Sequence, residues 1–519
     1  MKKTNLNVLR FTTESGNEYI YDNESGMVFP CSDALYDTIE NFLVLSKDEI
    51  LNKLHNDYNL ESKKAGVLYN HIKKLVNNGC IYECAESETS QKVTEKDIYE
   101  TALSQLILIV TEDCNIRCKY CIYSDNYPHV KTYTKEKMSF EVAQKAIDYY
   151  IELHQIRIDS GFRRKPIITF YGGEPLLEFE LIKKVVEYCK YNMYDVIFFA
   201  TTNATVMTDE MIDFIVENNI VITFSLDGYK YNNDRNRVFP NGKGTHDIIM
   251  RNITKLQNEK RKRGIEHVIS FSCCYDSHTD MCEVVKFFDD NHDLFYPYTI
   301  LFSQISKYDT DYYTYCEKAY EAGMLKDNNE TFSKTVNILQ QNFLDSVISG
   351  EEIKSVAMQS LFMGIKFILW RTKGKFDYRK LPCTPGSKIA VAPNGEFYVC
   401  ERVSQTCSIG NIDTKIDFDK VNKLVKKYDA LKEKNCKNCS VSRLCTMCFM
   451  HLAKEDDLEF NYQLCHDNQR SIPASLKIVF SVLEKNPNAF DLYSADNSDT
   501  EIAEIKSEIN HSEENEEIG

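Results

Sequence analysis

Between residues 104 and 303, six apolar runs alternate with five amphipathic stretches. Few folds are compatible with this pattern. The apolar runs predict strands at 104–110, 166–171, 195–201, 219–226, 267–273 and 297–303. The stretches between them predict helices near 139–155, 177–192, 208–218, 246–263 and 278–290. Strands joined by helices form a parallel sheet with right-handed crossovers, so we predict an α/β fold, a partial (β/α)6 barrel related to the TIM barrel. Chemistry in barrels lies at the carboxyl ends of strands.

The first predicted strand exits into a loop that holds three cysteines, Cys114, Cys118 and Cys121. Three thiolates on one short loop can bind three irons of a four-iron cluster and leave the fourth iron open to a substrate or cofactor. The alternative is a structural zinc site, for which His129, eight residues after Cys121, is the nearest candidate for a fourth ligand.

Composition narrows the class of partner and the cellular compartment. A chain of 519 residues is expected to form about two to four domains. The net charge of -16 argues against a nucleic-acid partner, because phosphate binding needs a basic surface. The first residues lack the apolar core of a signal peptide, and no run approaches the ~18 apolar residues of a membrane span. We therefore expect a cytoplasmic protein whose 19 cysteines are reduced and serve mainly in metal binding.

The spacing C-x-x-x-C-x-x-C, with Tyr120 directly before the third cysteine, resembles the signature of radical S-adenosylmethionine (SAM) enzymes. Exits of later strands match further motifs of that family, namely Gly172, Gly173, Glu174, Pro175, Asn203, Ser225 and Arg237. The resemblance implies a SAM-binding [4Fe-4S] cluster on the three cysteines of the loop. It also implies that the Gly-Gly-Glu-Pro segment holds the SAM amino group, that Asn203 lies near the cofactor, and that Ser225 and Arg237 bind the SAM carboxylate.

A second set of cysteines lies near the C-terminus, at Cys383, Cys400, Cys436, Cys439, Cys445, Cys448 and Cys465. This pattern resembles the SPASM domain, the auxiliary-cluster domain of peptide-modifying radical SAM enzymes, although two residues rather than three precede its sixth cysteine. The resemblance implies one closed cluster on Cys436, Cys439, Cys445 and Cys465, and a second on Cys383, Cys400 and Cys448. Its missing ligand is either Cys407 or a position open to substrate, and a pair of zinc ribbons is the alternative to both clusters. Three [4Fe-4S] clusters are thus expected in all.

Residues 1–90 are predicted to form a separate winged-helix-like α+β domain. Three short strands are expected near 9–13, 18–22 and 27–30, then helices at 34–43, 46–54 and 61–78 and a closing strand at 80–82. The order resembles the PqqD-like precursor-recognition domain of maturases that act on ribosomally made peptides, which implies binding of a leader peptide as an added strand. A plain structural cap and a DNA-binding winged helix are the alternatives.

The boundaries of the remaining domains are predicted from the composition of the chain. We expect the radical SAM barrel at 101–330, a helical bridge at 331–380, the SPASM domain at 381–480 and a disordered acidic tail at 481–519. Cys273, Cys274 and Cys282 flank the fifth strand and are interpreted as buried apolar residues.

The resemblance implies an oxidoreductase that forms a 5′-deoxyadenosyl radical and draws electrons from a flavodoxin- or ferredoxin-type reductant. The leading hypothesis is the formation of thioether cross-links, from Cys sulfur to an acceptor carbon, in a Cys-rich precursor peptide. Carbon–carbon cross-linking is one alternative. Another is a sulfatase-type maturase that makes formylglycine, with Glu401 after Cys400 as the candidate base. A non-catalytic iron–sulfur carrier or a winged-helix regulator is the third.

Overall fold

The computed structural model describes residues 6–81, 92–127, 132–162, 164–265, 268–369, 371, 373–403, 407–454 and 457–491. Its N-terminal elements are β1 (Val8–Thr12), β2 (Glu18–Asp22), β3 (Val28–Pro30), α1 (Asp33–Asn41), α2 (Lys47–Tyr58) and α3 (Ser62–Asn77). The three strands form an antiparallel sheet in the order β1-β2-β3. Ser32 and Ser46 cap α1 and α2 by accepting the N–H groups of Leu35 and Glu49.

The predicted strands and helices of this region are confirmed to within a few residues, with one exception. Cys80 and Ile81 lie in a bend after α3, so the predicted closing strand is wrong at these two positions. Its third residue, Tyr82, lies outside the described residues. The bend follows from Gly79, whose positive φ of 69° turns the chain as α3 ends.

The central region contains the predicted alternation of strands and helices. Its elements are β4 (Gln105–Thr111), α4 (Phe140–Asp159), β5 (Ile167–Gly172), α5 (Phe179–Asn192), β6 (Ile197–Thr202), α6 (Asp209–Glu217), β7 (Val221–Ser225), α7 (Lys230–Asn236), α8 (His246–Arg263), β8 (Ile269–Tyr275), α9 (Met281–Asp290), α10 (His292–Phe295) and β9 (Thr299–Gln304). Strands β4 to β9 pair in sequence order and all in parallel. The predicted parallel sheet is therefore confirmed.

The C-terminal part adds four helices and then a mixed segment. Its elements are α11 (Tyr312–Glu321), α12 (Thr331–Ser349), α13 (Val356–Leu361), α14 (Met363–Leu369), β10 (Lys388–Val391), β11 (Glu396–Tyr398), β12 (Ser408–Asn411), β13 (Lys415–Ile416), α15 (Phe418–Cys436), α16 (Phe449–Leu452), β14 (Ala453–Lys454), β15 (Asp457–Leu458) and α17 (Tyr462–Lys485). Strand β10 pairs in parallel with β4, so a ten-stranded sheet in the order β13-β12-β11-β10-β4-β5-β6-β7-β8-β9 joins the two parts.

A second apolar core connects the N-terminal sheet to the C-terminal helix α17. The ring of Phe480 on α17 lies 5.5 Å from that of Phe11 and 5.2 Å from that of Tyr19. Helix α17 continues to Lys485, and Ala489 and Phe490 are buried, so the folded chain extends past the predicted start of the tail at 481. Among the described residues, no helix combines the length and apolar character needed to cross a membrane.

Candidate functional site

The three-cysteine loop follows β4 and is held in place by backbone hydrogen bonds. The N–H of Arg117 donates to the Val238 carbonyl at 2.7 Å, and the N–H of Lys119 donates to the Asn236 carbonyl at 3.0 Å. These acceptors lie at the end of α7 and just after it. The loop is therefore fixed against the segment that follows β7, rather than only by its own strand.

Two of the loop thiols, Cys114 and Cys118, are buried, and Cys121 is half-buried. Burial raises the pKa of Cys114 to about 11, and the neighbouring Glu174 carboxylate and Cys121 thiol raise it further. Burial likewise raises the pKa of Cys118, and both of the other loop thiols add to the effect. The amide of Asn203 points at the Cys114 sulfur from 3.7 Å. Three thiols grouped in this way suit a cation that replaces their protons.

The chemistry of this donor set fits an iron–sulfur cluster. Among the described residues, no three His, Cys, Asp or Glu side chains converge closely enough to hold a single metal ion. A four-iron cluster takes one thiolate on each iron, so its cysteines lie apart around the cluster.

The Gly172–Gly173 pair packs directly on the backbone of the cysteine loop. A Cβ at Gly172 would lie 2.2 Å from the Thr111 carbonyl oxygen, and one at Gly173 would lie 2.1 Å from the Asp113 carbonyl oxygen. The N–H of Gly173 donates to Thr111 at 2.9 Å, which holds the two loops together. Only glycine allows this approach, so the pair is required for the packing of the two loops.

Glu174 is 1% exposed, and both of its carboxylate oxygens accept hydrogen bonds from the protein. One oxygen accepts from the Thr202 hydroxyl at 2.7 Å and the other from the Asn203 N–H at 2.7 Å. Burial raises the pKa of this carboxyl, and these bonds oppose the rise. Glu174 thus orders the turn after β6. Pro175 is buried at the start of the following helical turn and does not line the cavity described below.

Tyr120, Asp227 and Arg237 form a hydrogen-bonded chain beside the cysteine loop. The Tyr120 hydroxyl donates to Asp227 Oδ2 at 2.6 Å and accepts from Arg237 Nη1 at 2.7 Å. Asp227 Oδ1 accepts the N–H of Cys274 at 2.9 Å. Nε of Arg237 is buried without a hydrogen-bond partner among the described residues. One edge of this guanidinium therefore remains available for an anionic group, and Ser225 lies on the same wall.

Two further carboxylates in this region have structural roles. Asp234 accepts the N–H groups of Thr245 and His246, each at 2.8 Å, and so fixes the start of α8. Asp276 forms a buried bidentate pair with Arg235, at 2.7 and 2.8 Å. Burial opposes its charge, but the guanidinium lowers its pKa to about 2.

The sequence suggested for Asp227 only a part in ordering its loop and no chemical role, and the interpretation of Cys274 needs correction. Cys273 is fully buried in the main core, as expected. Cys274 instead lines the cavity, because alternate residues of β8 face opposite sides of the sheet. Burial raises the pKa of its thiol to about 12. Asp227 follows Ser225 by two positions, but nothing local to the sequence indicated its bond to Tyr120.

The C-terminal cysteines fall into two groups according to which thiols influence one another. In one group, Cys436 and Cys465 each interact electrostatically with Cys439 and Cys445. In the other, Cys383 interacts with Cys400 and Cys448, and burial raises its pKa to about 11. Polar side chains approach two of the sulfurs, since Asn468 Nδ2 lies 3.3 Å from Cys445 and His451 Nδ1 lies 3.5 Å from Cys448.

Cys407 lies within electrostatic range of one member of the second group. Its thiol interacts with Cys400, and burial raises its pKa. It has a positive φ of 64°, a backbone conformation that non-glycine residues adopt at some energetic cost.

One cavity of about 1590 Å³ is lined both by the three-cysteine loop and by residues of the C-terminal part. Its inner wall contains the three loop cysteines with Gly172, Gly173, Glu174, Asn203, Ser225 and Arg237. Its outer wall contains residues 401–403, residues 303–309 and the first turns of α17. The Glu401 side chain on that wall is 16% exposed, and its Oε2 has no partner among the described residues. The predicted cofactor-binding residues other than Pro175 therefore share one cavity with the candidate base.

One protein family and several individual proteins are similar to this chain. Residues 108–288 match the sequence model of the radical SAM superfamily. The chain is 34% identical to uncharacterized protein MJ0907 of Methanocaldococcus jannaschii over 171 residues, which cover 32% of this chain and about half, 54%, of that protein. It is 26% identical to the cysteine-type anaerobic sulfatase-maturating enzyme of Clostridium novyi over 363 residues, 66% of this chain and 87% of that enzyme.

A third relative and a solved structure extend the comparison. The radical SAM cyclopropyl synthase TigE of Paramaledivibacter caminithermalis is 27% identical over 155 residues, 28% of this chain and 32% of that enzyme. The structure of native anSMEcpe with bound AdoMet superposes with a TM-score of 0.53 at 20% identity, covering 75% of this chain and 99% of that one. This last likeness concerns the fold.

Proposed function

We propose that this chain, a radical SAM enzyme related to the anaerobic sulfatase-maturating enzymes, forms thioether cross-links in a ribosomally made, Cys-rich precursor peptide. One observation carries the proposal. The cavity that contains the three-cysteine loop also reaches Glu401, which follows Cys400, and His451, whose Nδ1 lies 3.5 Å from the sulfur of Cys448; Cys400 and Cys448 are two members of the three-thiol group. A peptide bound there could present a carbon to one end and a thiol to the other.

At the inner end, Cys114, Cys118 and Cys121 would hold the SAM-binding cluster. Arg237 would bind the SAM carboxylate through its unpartnered edge, and Ser225 and the paired glycines line the same cavity. When bound, the cluster and SAM would supply the one-electron chemistry that removes a hydrogen atom from the peptide. The buried Tyr120–Asp227 pair holds Arg237 in position and keeps this end of the cavity ordered.

At the outer end, the two cysteine groups would hold two auxiliary clusters. Four thiols make the first group complete, whereas Cys383, Cys400 and Cys448 leave one position of the second unfilled. We infer that this position is open to the substrate thiol, because the cavity reaches Glu401, next to Cys400, and His451, which contacts Cys448. An open position beside the cavity would hold the peptide sulfur next to the activated carbon.

The N-terminal domain, residues 1–90, would bind the leader of the precursor. Among the described residues, β1 and β3 each pair with β2 alone, so each offers a free edge for an added strand. An apolar groove of about 210 Å³ lies between α1 and α3, lined by Leu6, Ile39, Phe42, Leu43, Ile72, Val76 and Ile81. Alternating apolar side chains of a bound strand would fit such a groove.

The test is mass spectrometry of a precursor after reaction. If a short reading frame beside this gene encodes a Cys-rich peptide, that peptide is incubated anaerobically with the reconstituted enzyme, SAM and a flavodoxin- or ferredoxin-type reductant. A thioether cross-link removes two hydrogen atoms per bond, blocks alkylation of the donor cysteine and joins two residues in tandem spectra. Carbon–carbon cross-linking removes the same mass but leaves every cysteine alkylatable. Absence of SAM cleavage would instead favour a non-catalytic iron–sulfur carrier.

Formation of formylglycine is the second candidate, and two observations favour it. Glu401 places an unpartnered carboxylate oxygen on the cavity wall, where it could accept a proton from a substrate residue. The Clostridium novyi relative is named a cysteine-type sulfatase-maturating enzyme. Formylglycine carries an aldehyde, so labelling of the product by a hydrazide probe would separate this activity from cross-linking.

A further inference from the structure

The tight turn between β2 and β3 is buried, although its residues are of the kind that normally face solvent. Asp22, Asn23, Glu24 and Ser25 are each 0% exposed. Polar turns usually lie at the surface, because their backbone groups need partners. Burial of this one means that another part of the chain supplies those partners.

The partners come from the segment that carries the first C-terminal cysteine group. Arg443, two residues before Cys445, donates from its own N–H to Asn23 Oδ1 at 2.9 Å and from Nε to the Asn23 carbonyl at 2.8 Å. Its Nη2 also donates to the Glu24 carbonyl at 2.6 Å. Asn23 Nδ2 donates to the hydroxyl of Ser442 at 2.9 Å.

A second contact fixes the other end of the same segment. Asn7, at the start of the N-terminal sheet, donates from Nδ2 to the carbonyl of Lys437 at 2.8 Å and to Glu24 Oε1 at 3.0 Å. Lys437 directly follows Cys436. Cys439, between these two contacts, packs against the core that β1 and β2 share with α17. The N-terminal sheet therefore holds both ends of the segment from Cys436 to Cys445.

We propose that the β2–β3 turn is a positioning element for the cluster held by Cys436, Cys439, Cys445 and Cys465, so that docking of the N-terminal domain and filling of this cluster are coupled. The inference rests on the proposed auxiliary clusters. Cluster thiolates that are fixed in position bind with less loss of conformational entropy, and ligation in turn stabilises the turn. By linkage, each event favours the other to the same degree.

Three variants of the full-length chain test the coupling. Asn23→Ala removes two bonds to the cysteine segment, and Ser442→Ala removes one from the opposite side without changing the N-terminal domain. The control is Asn41→Ala, whose side-chain amide bonds within its own helix to Asp37. Each protein is reconstituted anaerobically, assayed for iron per chain and examined by electron paramagnetic resonance. Amide exchange across residues 437–444 is measured on the metal-free chains.

We expect both test variants to lose about one third of the iron, with the loss confined to one of the three cluster signals. Exchange in 437–444 should be about tenfold faster than in the wild type, while Asn41→Ala matches the wild type. Full iron with unchanged exchange, or iron lost equally from every site, would overturn the coupling. If Asn23→Ala does not fold, Ser442→Ala decides the matter. A wild-type chain with only one cluster would instead refute the auxiliary clusters themselves.

Discussion

Arg237 donates from Nη1 to the hydroxyl of Tyr120 at 2.7 Å, which links the segment after β7 to the cysteine loop after β4. The same hydroxyl donates to Asp227, so one phenol oxygen connects a buried cation to a buried carboxylate. The aromatic residue of the cysteine motif therefore orients the arginine that is proposed to bind SAM. This role is distinct from packing and can be tested by removing a single oxygen atom.

Tyr120→Phe is expected to lower the affinity for SAM about tenfold, because loss of one charge-assisted hydrogen bond costs about 1.5 kcal/mol. Anaerobic equilibrium dialysis with labelled SAM measures the change. The control is Tyr123→Phe, which removes a hydroxyl from another tyrosine on the same cavity wall. Equal affinity in wild type and Tyr120→Phe, with the cluster fully loaded in both, would show that Arg237 is held by other contacts.

Gly173→Ala is expected to displace the cysteine loop, because the new methyl group would lie 2.1 Å from the Asp113 carbonyl oxygen. We predict a loss of about 3 kcal/mol in the free energy of unfolding and loss of the SAM-binding cluster from reconstituted protein. Chemical denaturation of the metal-free chain and iron analysis measure the two effects. Gly66→Ala is the matched control, since its Cβ on α3 meets nothing within 4 Å and alanine favours a helix.

The Arg235–Asp276 pair predicts a pH dependence with a defined sign. The folded pKa of Asp276 is about 2, below its ordinary value of 3.8. The pair thus contributes stability that is present above pH 3.8 and is lost as the pH falls towards 2. Asp276→Asn leaves the buried guanidinium without its counter-charge, so we expect a loss of about 3–5 kcal/mol at neutral pH. Urea unfolding of wild type and variant should converge as the pH falls through this range, and a constant difference would contradict the prediction.

The positions of the central strands were predictable, because each is an apolar run that can be recognised from its own residues. β4 is buried along nearly all of its length, as its composition of Leu, Ile and Val predicts. The strands β10 to β13 were not predicted. They have two to four residues each, and β10 pairs with β4 across some 280 positions of sequence, which no local pattern encodes.

The β2–β3 turn is a second feature that the sequence predicts only in part. The residues Asn23–Gly26, which join the predicted strands 18–22 and 27–30, form a turn because they favour that backbone locally. Its burial depends on Arg443, 420 positions away, and could not be inferred from the turn itself. The grouping of the thiols followed from a family pattern, whereas the bond of Tyr120 to Asp227 needed the three-dimensional structure.

The packing of the N-terminal sheet against α17 changes how leader binding should be tested. Removing residues 1–90 would expose Phe480 and the rest of the core that β1 and β2 share with α17. We expect the truncated chain to aggregate and to lose iron, whatever the role of the domain. Leu43→Glu is the sharper variant, because Leu43 lines the groove and is 38% exposed, so a charge there disturbs the fold little.

Leu43→Glu is expected to weaken binding of a fluorescent synthetic leader peptide about tenfold or more, since it places a charge in an apolar groove. Fluorescence anisotropy measures the affinity. Val67→Glu on α3 is the control, as Val67 is 48% exposed and lies outside the groove lining. Equal weakening in both variants would indicate a general charge effect, and no weakening in either would place the leader elsewhere.

Substitution of Cys407 and Cys448 separates an open auxiliary cluster from a closed one. If the fourth position belongs to the substrate, Cys407→Ser keeps the full iron content, whereas Cys448→Ser loses about one third of it. Iron and sulfide analysis of the reconstituted proteins gives this comparison. We expect retention because the proposal gives the fourth position to the substrate thiol and not to Cys407. Addition of a thiol-containing peptide should then perturb the paramagnetic signal of the auxiliary cluster in Cys407→Ser as it does in the wild type.

Loss of iron from Cys407→Ser equal to that from Cys448→Ser would instead make Cys407 the eighth ligand, and the substrate sulfur would have to bind elsewhere in the cavity.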